Sequence, residues 1–77
     1  MEEVMELFKK YEPIMSIYEN DGEYIAFPKT DKTEPLAVFY DKKLGQYNEL
    51  YFYQDTDNTI PEAVENSSLI YGKELEF

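Results

Sequence analysis

Apolar residues recur at helical spacing at the start of the chain, with Val4, Leu7, Phe8 and Tyr11 on one side and Glu2, Glu3, Glu6, Lys9 and Lys10 on the other. The pattern predicts an amphipathic N-terminal helix. Its early glutamates suit the positive end of the helix dipole and its lysine pair suits the far end. Pro13 disfavours helical geometry at Glu12 and stops the segment.

From Ile14 the period changes. IMSIY and EYIAFP flank Asn20-Asp21-Gly22, which reads as a β-hairpin. A two-residue loop at Asp21-Gly22 would set Ile17 opposite Ala26 and Tyr18 opposite Ile25, mixing the faces. A three-residue loop, with Gly22 left-handed, pairs Met15 with Phe27, Ile17 with Ile25 and Tyr18 with Tyr24 and gives one apolar face. The second register is the expected one, although it sets Glu19 against Glu23. PKTDKTEP, from Pro28 to Pro35, is polar, proline-bounded and without period, hence a loop.

LAVFYD and QYNELYFYQ then flank Lys42-Lys43-Leu44-Gly45 as a second hairpin. With a three-residue loop ending at Gly45, Val38 faces Leu50 and Leu36 faces Phe52. A two- or four-residue loop puts Ala37 and Phe39 with Leu50 and Phe52 instead. Thr59-Ile60-Pro61-Glu62 fits a capping box, and Ile60, Ala63, Val64 and Ser67 continue at helical spacing, so a short second helix follows. SLIYGKELEF reads as a last strand, weakened at Gly72. The expectation is an α+β fold: one domain over residues 1–77, an N-terminal helix packed on an antiparallel sheet of four to five strands, and a short second helix before a C-terminal strand.

Composition narrows the chemistry. At 77 residues the chain is close to the size where one core barely suffices, and with no cysteine it has no disulfide staple, so stability rests on packing or self-association. An apolar fraction of 43%, with 17% aromatic, marks a folded chain despite a net charge of −10. All seven basic residues are lysine. From Leu44 onward seven acids face Lys73 alone, a net of −6. Such a surface repels nucleic acid and anionic membrane and steers toward basic protein surfaces. The acidic start MEEVMELFKK lacks the basic and apolar regions of a secretory signal, and the cytoplasm is the expected compartment.

Without Cys or His there is no thiol nucleophile, imidazole base or imidazole metal ligand. Ser16, Ser67 and Ser68 have no partner base, and three glycines make no phosphate loop. The chain therefore reads as a non-enzyme without cofactor. Asp55-Thr56-Asp57-Asn58 opens like a calcium loop, but the sixth position is Ile60 and the twelfth is Asn66, so it reads as a turn before Thr59 and not as a metal site.

What remains is NELYFYQDTD. If Leu50 and Phe52 point inward, Tyr47, Glu49, Tyr51, Tyr53 and Asp55 point outward, with Asp57 following. Residues two apart on a strand are about 6.6 Å apart, comparable to successive phosphates along a nucleic-acid strand. Carboxylates so spaced suit a basic groove, and tyrosines between them supply interface area. In size, charge and lack of catalytic groups, the chain is similar to the small acidic inhibitors encoded by bacteriophages, such as uracil-DNA glycosylase inhibitors and anti-CRISPR proteins. The similarity is one of type and transfers no residue. It implies a basic, nucleic-acid-binding protein as partner and occlusion as mechanism. The alternative is an assembly subunit that forms a homodimer through the tyrosine face.

Overall fold

Two strand pairs built on different turns set the frame of this protein, whose computed structural model describes residues 2–29, 35–51 and 59–75. In order come α1 (Glu2–Leu7), a 3-10 turn (Lys9–Tyr11), β1 (Ile14–Glu19), β2 (Glu23–Pro28), β3 (Ala37–Asp41), β4 (Gln46–Leu50), α2 (Thr59–Glu65) and β5 (Ser68–Gly72). The strands form one antiparallel sheet in the order β4-β3-β2-β1-β5. The architecture is broadly α+β, a five-stranded sheet with two short helices.

The first hairpin takes the register that mixes the faces. Ile17 pairs with Ala26, Tyr18 with Ile25 and Glu19 with Tyr24, in place of the expected Ile17–Ile25 and Tyr18–Tyr24 pairs. Gly22 is not left-handed. The turn is held by the Asn20 side chain, whose Oδ1 accepts the backbone N–H groups of Gly22 and Glu23, each at 2.9 Å. The expectation failed because it assumed one buried face. Both β1 and β2 are interior strands, so each presents apolar groups to two cores and mixing is not penalised. The observed register also relieves Glu19 of the Glu23 opposition: Glu19 Oε2 pairs with Lys42 Nζ at 2.8 Å.

A register shift between Ile14 and Ser16 marks a β-bulge at Met15. It lets Ile14 and Ile17, three apart, join the same cluster, and it leaves Met15 39% exposed.

The second hairpin has a four-residue loop, Lys42 to Gly45. Asp41 pairs with Gln46, Tyr40 with Tyr47, Val38 with Glu49 and Ala37 with Leu50. Val38 therefore does not face Leu50. Asp41 Oδ1 accepts the N–H groups of Lys43 and Leu44 at 2.9 Å, and Asp41 O accepts that of Gly45 at 2.8 Å. This caps one helical turn, which needs the fourth residue. Gly45 closes it at φ 66°, in the left-handed region that favours glycine.

Two apolar clusters result. The first gathers Phe8, Ile14, Ile17, Ala26 and Val38, with Val4, Met5, Leu7, Tyr11, Tyr24, Tyr40 and Ile70 against it. The second gathers Tyr18, Ile25, Phe27, Ala37 and Ile60, with Phe39, Leu50, Ala63 and Val64 among its neighbours. Residues of α2 thus contribute to the second cluster alone.

Gly72 is no weak point of β5. A Cβ there would lie 1.9 Å from Met15 O, and φ is 81°, so only glycine lets β5 approach the bulge. The Ser16 hydroxyl donates to Lys73 O, and the Leu75 N–H donates to the Tyr18 hydroxyl at 2.9 Å, extending the seam past the strand end.

Candidate interaction surface

Of the six residues that the sequence nominates, Tyr47, Glu49 and Tyr51 fall within the described structure, while Tyr53, Asp55 and Asp57 lie outside the described residues, as does the Asp55–Asn58 turn. Tyr47 and Glu49 sit two apart on the edge strand β4, opposite Tyr40 and Val38, and the Val38 and Tyr40 side chains belong to the first cluster. The face that carries them is therefore the one closed by Phe8 and its neighbours.

Phe8 is fully buried and meets two tyrosines edge-on, Tyr40 at 6.5 Å and 82° and Tyr47 at 6.2 Å and 88°. The Tyr40 and Tyr47 rings lie 4.8 Å apart. The Tyr47 hydroxyl donates to Leu7 O at 2.6 Å, satisfying a carbonyl that the end of α1 leaves open. Tyr47 keeps 42% of its surface exposed, the largest solvent-facing tyrosine area in the described chain.

Glu49 is a clamp point. Its Oε2 accepts the Tyr11 hydroxyl at 2.6 Å and its Oε1 accepts the Tyr51 hydroxyl at 2.9 Å. These two bonds, the one from Tyr11 foremost, hold the carboxyl below its ordinary range, with help from the Lys10 charge and against the effect of burial. The same contact acts in reverse on Tyr11. Burial first, then the bond to Glu49 and its negative charge, push the phenol well above its usual value. Burial, reinforced by Tyr40, also raises Tyr47. The three described residues are thus brought together, as the alternation suggests, but Glu49 and Tyr51 are half-buried and partnered within the chain. Among the described residues, the tyrosine side meets Phe8, Leu7 and Tyr11, whereas Ile60, Ala63 and Val64 of α2 belong with the second cluster. The helical stripe named Phe8 and Tyr11, but no sequence signal tied Tyr11 to a residue 38 positions away.

A second grouping escapes the sequence because three separate connections supply it. Glu19, Asn20, Asp21, Lys42, Asn66 and Ser68 line an open cleft of about 450 Å³ at the turn end of the sheet. Lys42 is its fixed point: Nζ donates to Glu19 Oε2 at 2.8 Å and to Asn20 O at 2.7 Å, and lies 4.6 Å from the centre of the Tyr24 ring. The Lys42 hydrogen bond depresses the Glu19 carboxyl, and a bond from Tyr24 adds to this.

Elsewhere the surface carries exposed acids on several elements: Glu2, Glu3, Glu6, Glu12, Asp21, Glu62, Glu65 and Glu74. The Glu19–Lys42 contact is the one ion pair among the described residues. Among them, no three acidic side chains are placed to hold a metal ion, and no helix is long and apolar enough to cross a membrane. No protein-family model matches the chain, nor does any curated protein or solved structure.

Proposed function

We propose that this protein is a non-enzymatic acidic module that binds a basic protein, and that it acts in the cytoplasm as an inhibitor of the phage-encoded type by covering a nucleic-acid-binding surface of its partner. The observation that carries this reading is the distribution of charge. Eight exposed carboxylates on α1, the end of the 3-10 turn, the first hairpin turn, α2 and the C-terminal stretch are left without an ion pair among the described residues, and a basic surface is what such a field attracts. In this reading α1 presents Glu2, Glu3 and Glu6 outward, and the edge strand β4, through its exposed Tyr47, leads the tyrosine–carboxylate strip of Tyr47, Glu49, Tyr51, Tyr53, Asp55 and Asp57 at the contact. The mechanism is steric and electrostatic occlusion.

The test pairs capture with inhibition. A nucleic-acid-binding enzyme captured by the wild-type chain should lose activity in proportion to occupancy, with an association rate that falls steeply as salt is raised. Glu49→Gln/Asp55→Asn/Asp57→Asn, checked for folding, should weaken binding at least tenfold. Binding by that variant at wild-type strength removes the strip from the proposal. The competing reading is an assembly subunit that dimerises through the tyrosines. The ring exposure of Tyr47 is the observation in its favour, and light scattering decides it: a tight homodimer lost on Tyr51→Ala or Tyr53→Ala would establish that reading over occlusion.

A further inference from the structure

We propose that the cleft between the two hairpin turns and the α2–β5 connection receives the guanidinium group of an arginine side chain from the partner. The inference rests on the basic-partner reading above and gives it a specific anchoring point.

The charge of the cleft is one-sided. Lys42 is its one cation among the described residues, and it is held by Glu19 and Asn20 O and lies over the Tyr24 ring, so its charge is offset by Glu19 within the chain. The Asn20 side chain is equally occupied: Nδ2 donates to Ser67 Oγ at 3.0 Å and to Glu23 Oε1 at 3.4 Å, and Oδ1 accepts two backbone N–H groups. The uncompensated charge is that of Asp21. The Asp21 carboxylate is exposed and takes no hydrogen bond or ion pair from a described residue. Asn66 spends Nδ2 on Glu62 O at 3.0 Å, which leaves its Oδ1 open, and the exposed Ser68 hydroxyl is unengaged among the described residues.

An anion would meet the Asp21 carboxylate with no unpaired cation among the described cleft residues to offset it. A cation with several N–H groups fits, because the Asp21 carboxylate and the Asn66 and Ser68 oxygens line one cleft. Guanidinium offers five donors in a fixed plane and loses less hydration than an ammonium on entering a cleft. The volume, about 450 Å³, is in the range of small-group pockets. Because the chain has no arginine of its own, a second copy cannot supply the group.

The experiment is an amide-resolved NMR titration of the full chain with N-acetyl-arginine-N-methylamide, with the corresponding blocked lysine at equal ionic strength and free arginine as comparison probes. Saturable shifts confined to the amides around Asp21, Gly22, Lys42, Asn66 and Ser68 are expected, with blocked lysine bound at least about threefold more weakly. Asp21→Asn, a turn substitution that leaves the Asn20 bonds in place, should weaken arginine binding about tenfold with an unchanged spectrum elsewhere. Ser68→Ala should give a smaller loss. Shifts spread equally over Glu2, Glu6, Glu62 and Glu74, or unaffected by Asp21→Asn, overturn the proposal. So does free arginine binding more tightly than the blocked form, which would assign the cleft to a free amino acid. A captured partner that binds Asp21→Asn as well as wild type overturns the anchoring point and leaves the basic-partner reading standing. A cleft that takes blocked arginine in a chain that captures no basic protein supports the guanidinium site and removes only the reading beneath it.

Discussion

The two sides of the sheet are closed by different physics. On the first, Phe8 sits among Tyr11, Tyr40 and Tyr47, and directional hydroxyl bonds run from Tyr11 to Glu49 and from Tyr47 to Leu7 O. On the second, Ile60 meets Ile25, Phe27 and Ala37, with Ala63 and Val64 beside it and, among the described residues, one ring pair, Tyr18 and Phe27, at 5.8 Å. One side is fixed by apolar volume together with groups that titrate; the other is fixed by apolar volume and backbone seams. The lesson is that an acidic chain can use a carboxylate as an internal fastener with phenols as its donors.

The comparison breaks most severely at Phe8. Phe8→Ala should cost about 3–5 kcal/mol, close to the whole stability of a domain this size, whereas Ile60→Ala, at the rim of the second side and 7% exposed, should cost about 2 kcal/mol. Urea denaturation of the two variants reads the difference. Equal losses would show that the two sides carry equal weight.

Gly72→Ala comes next, at about 2–3 kcal/mol for a side chain forced into left-handed backbone and against Met15 O. The loss should be local. Amide exchange should accelerate in β5 and its β1 partners while β3 and β4 keep their protection.

The pH dependence separates the sides further. Because the Glu49 carboxyl is depressed in the folded chain, its stabilisation is present above the ordinary glutamate value, about 4.3, and disappears as pH falls through the lower folded value. Tyr11 is raised, so its contribution is present below about 10 and disappears as pH climbs past that into the folded range. Denaturation midpoints followed against pH should show both limbs. Tyr11→Phe should shrink both, with the remaining alkaline limb carried by Tyr47, which is raised as well, while substitutions of Ile60 should leave both unchanged in shape. Glu19 is depressed as well, so an acid limb of reduced size persists in Glu49→Gln.

The smallest effect is expected for Tyr47→Phe, about 0.5–1 kcal/mol for one partly exposed hydrogen bond to Leu7 O. Thermal unfolding measures it. A loss as large as that of Phe8→Ala would make the hydroxyl bonds, and not the rings, the main fastener of the first side.

Much of this organisation was legible in the residues. Phe8 and Tyr11 of the Val4, Leu7, Phe8, Tyr11 stripe are found in the ring contacts of the first side. The order of helix, two hairpins, helix and strand followed from changes of period and from turn residues. Gly45 was readable as the end of the second turn because it follows a polar stretch between two β patterns. The hairpin registers were not. In the first, Asn20 could hold a tight turn with its side chain as readily as Gly22 could hold a wider one, and the choice depended on whether one or two sides would be buried. In the second, Asp41 capped one more residue than the shortest glycine-closed loop requires. The site was half legible for the same reason: alternation grouped Tyr47 and Glu49, but the contacts that cover them span 38 to 40 positions of chain.

The sequence by itself determined the acidic surface, the lack of thiol and imidazole chemistry, and the elements, because each depends on residue type or on neighbours within a few positions. Only the tertiary structure decided the registers, the internal use of Glu49 and the cleft around Lys42. Each of these depends on what closes a second side of the sheet, or on three turns meeting at one end, and no local pattern records that.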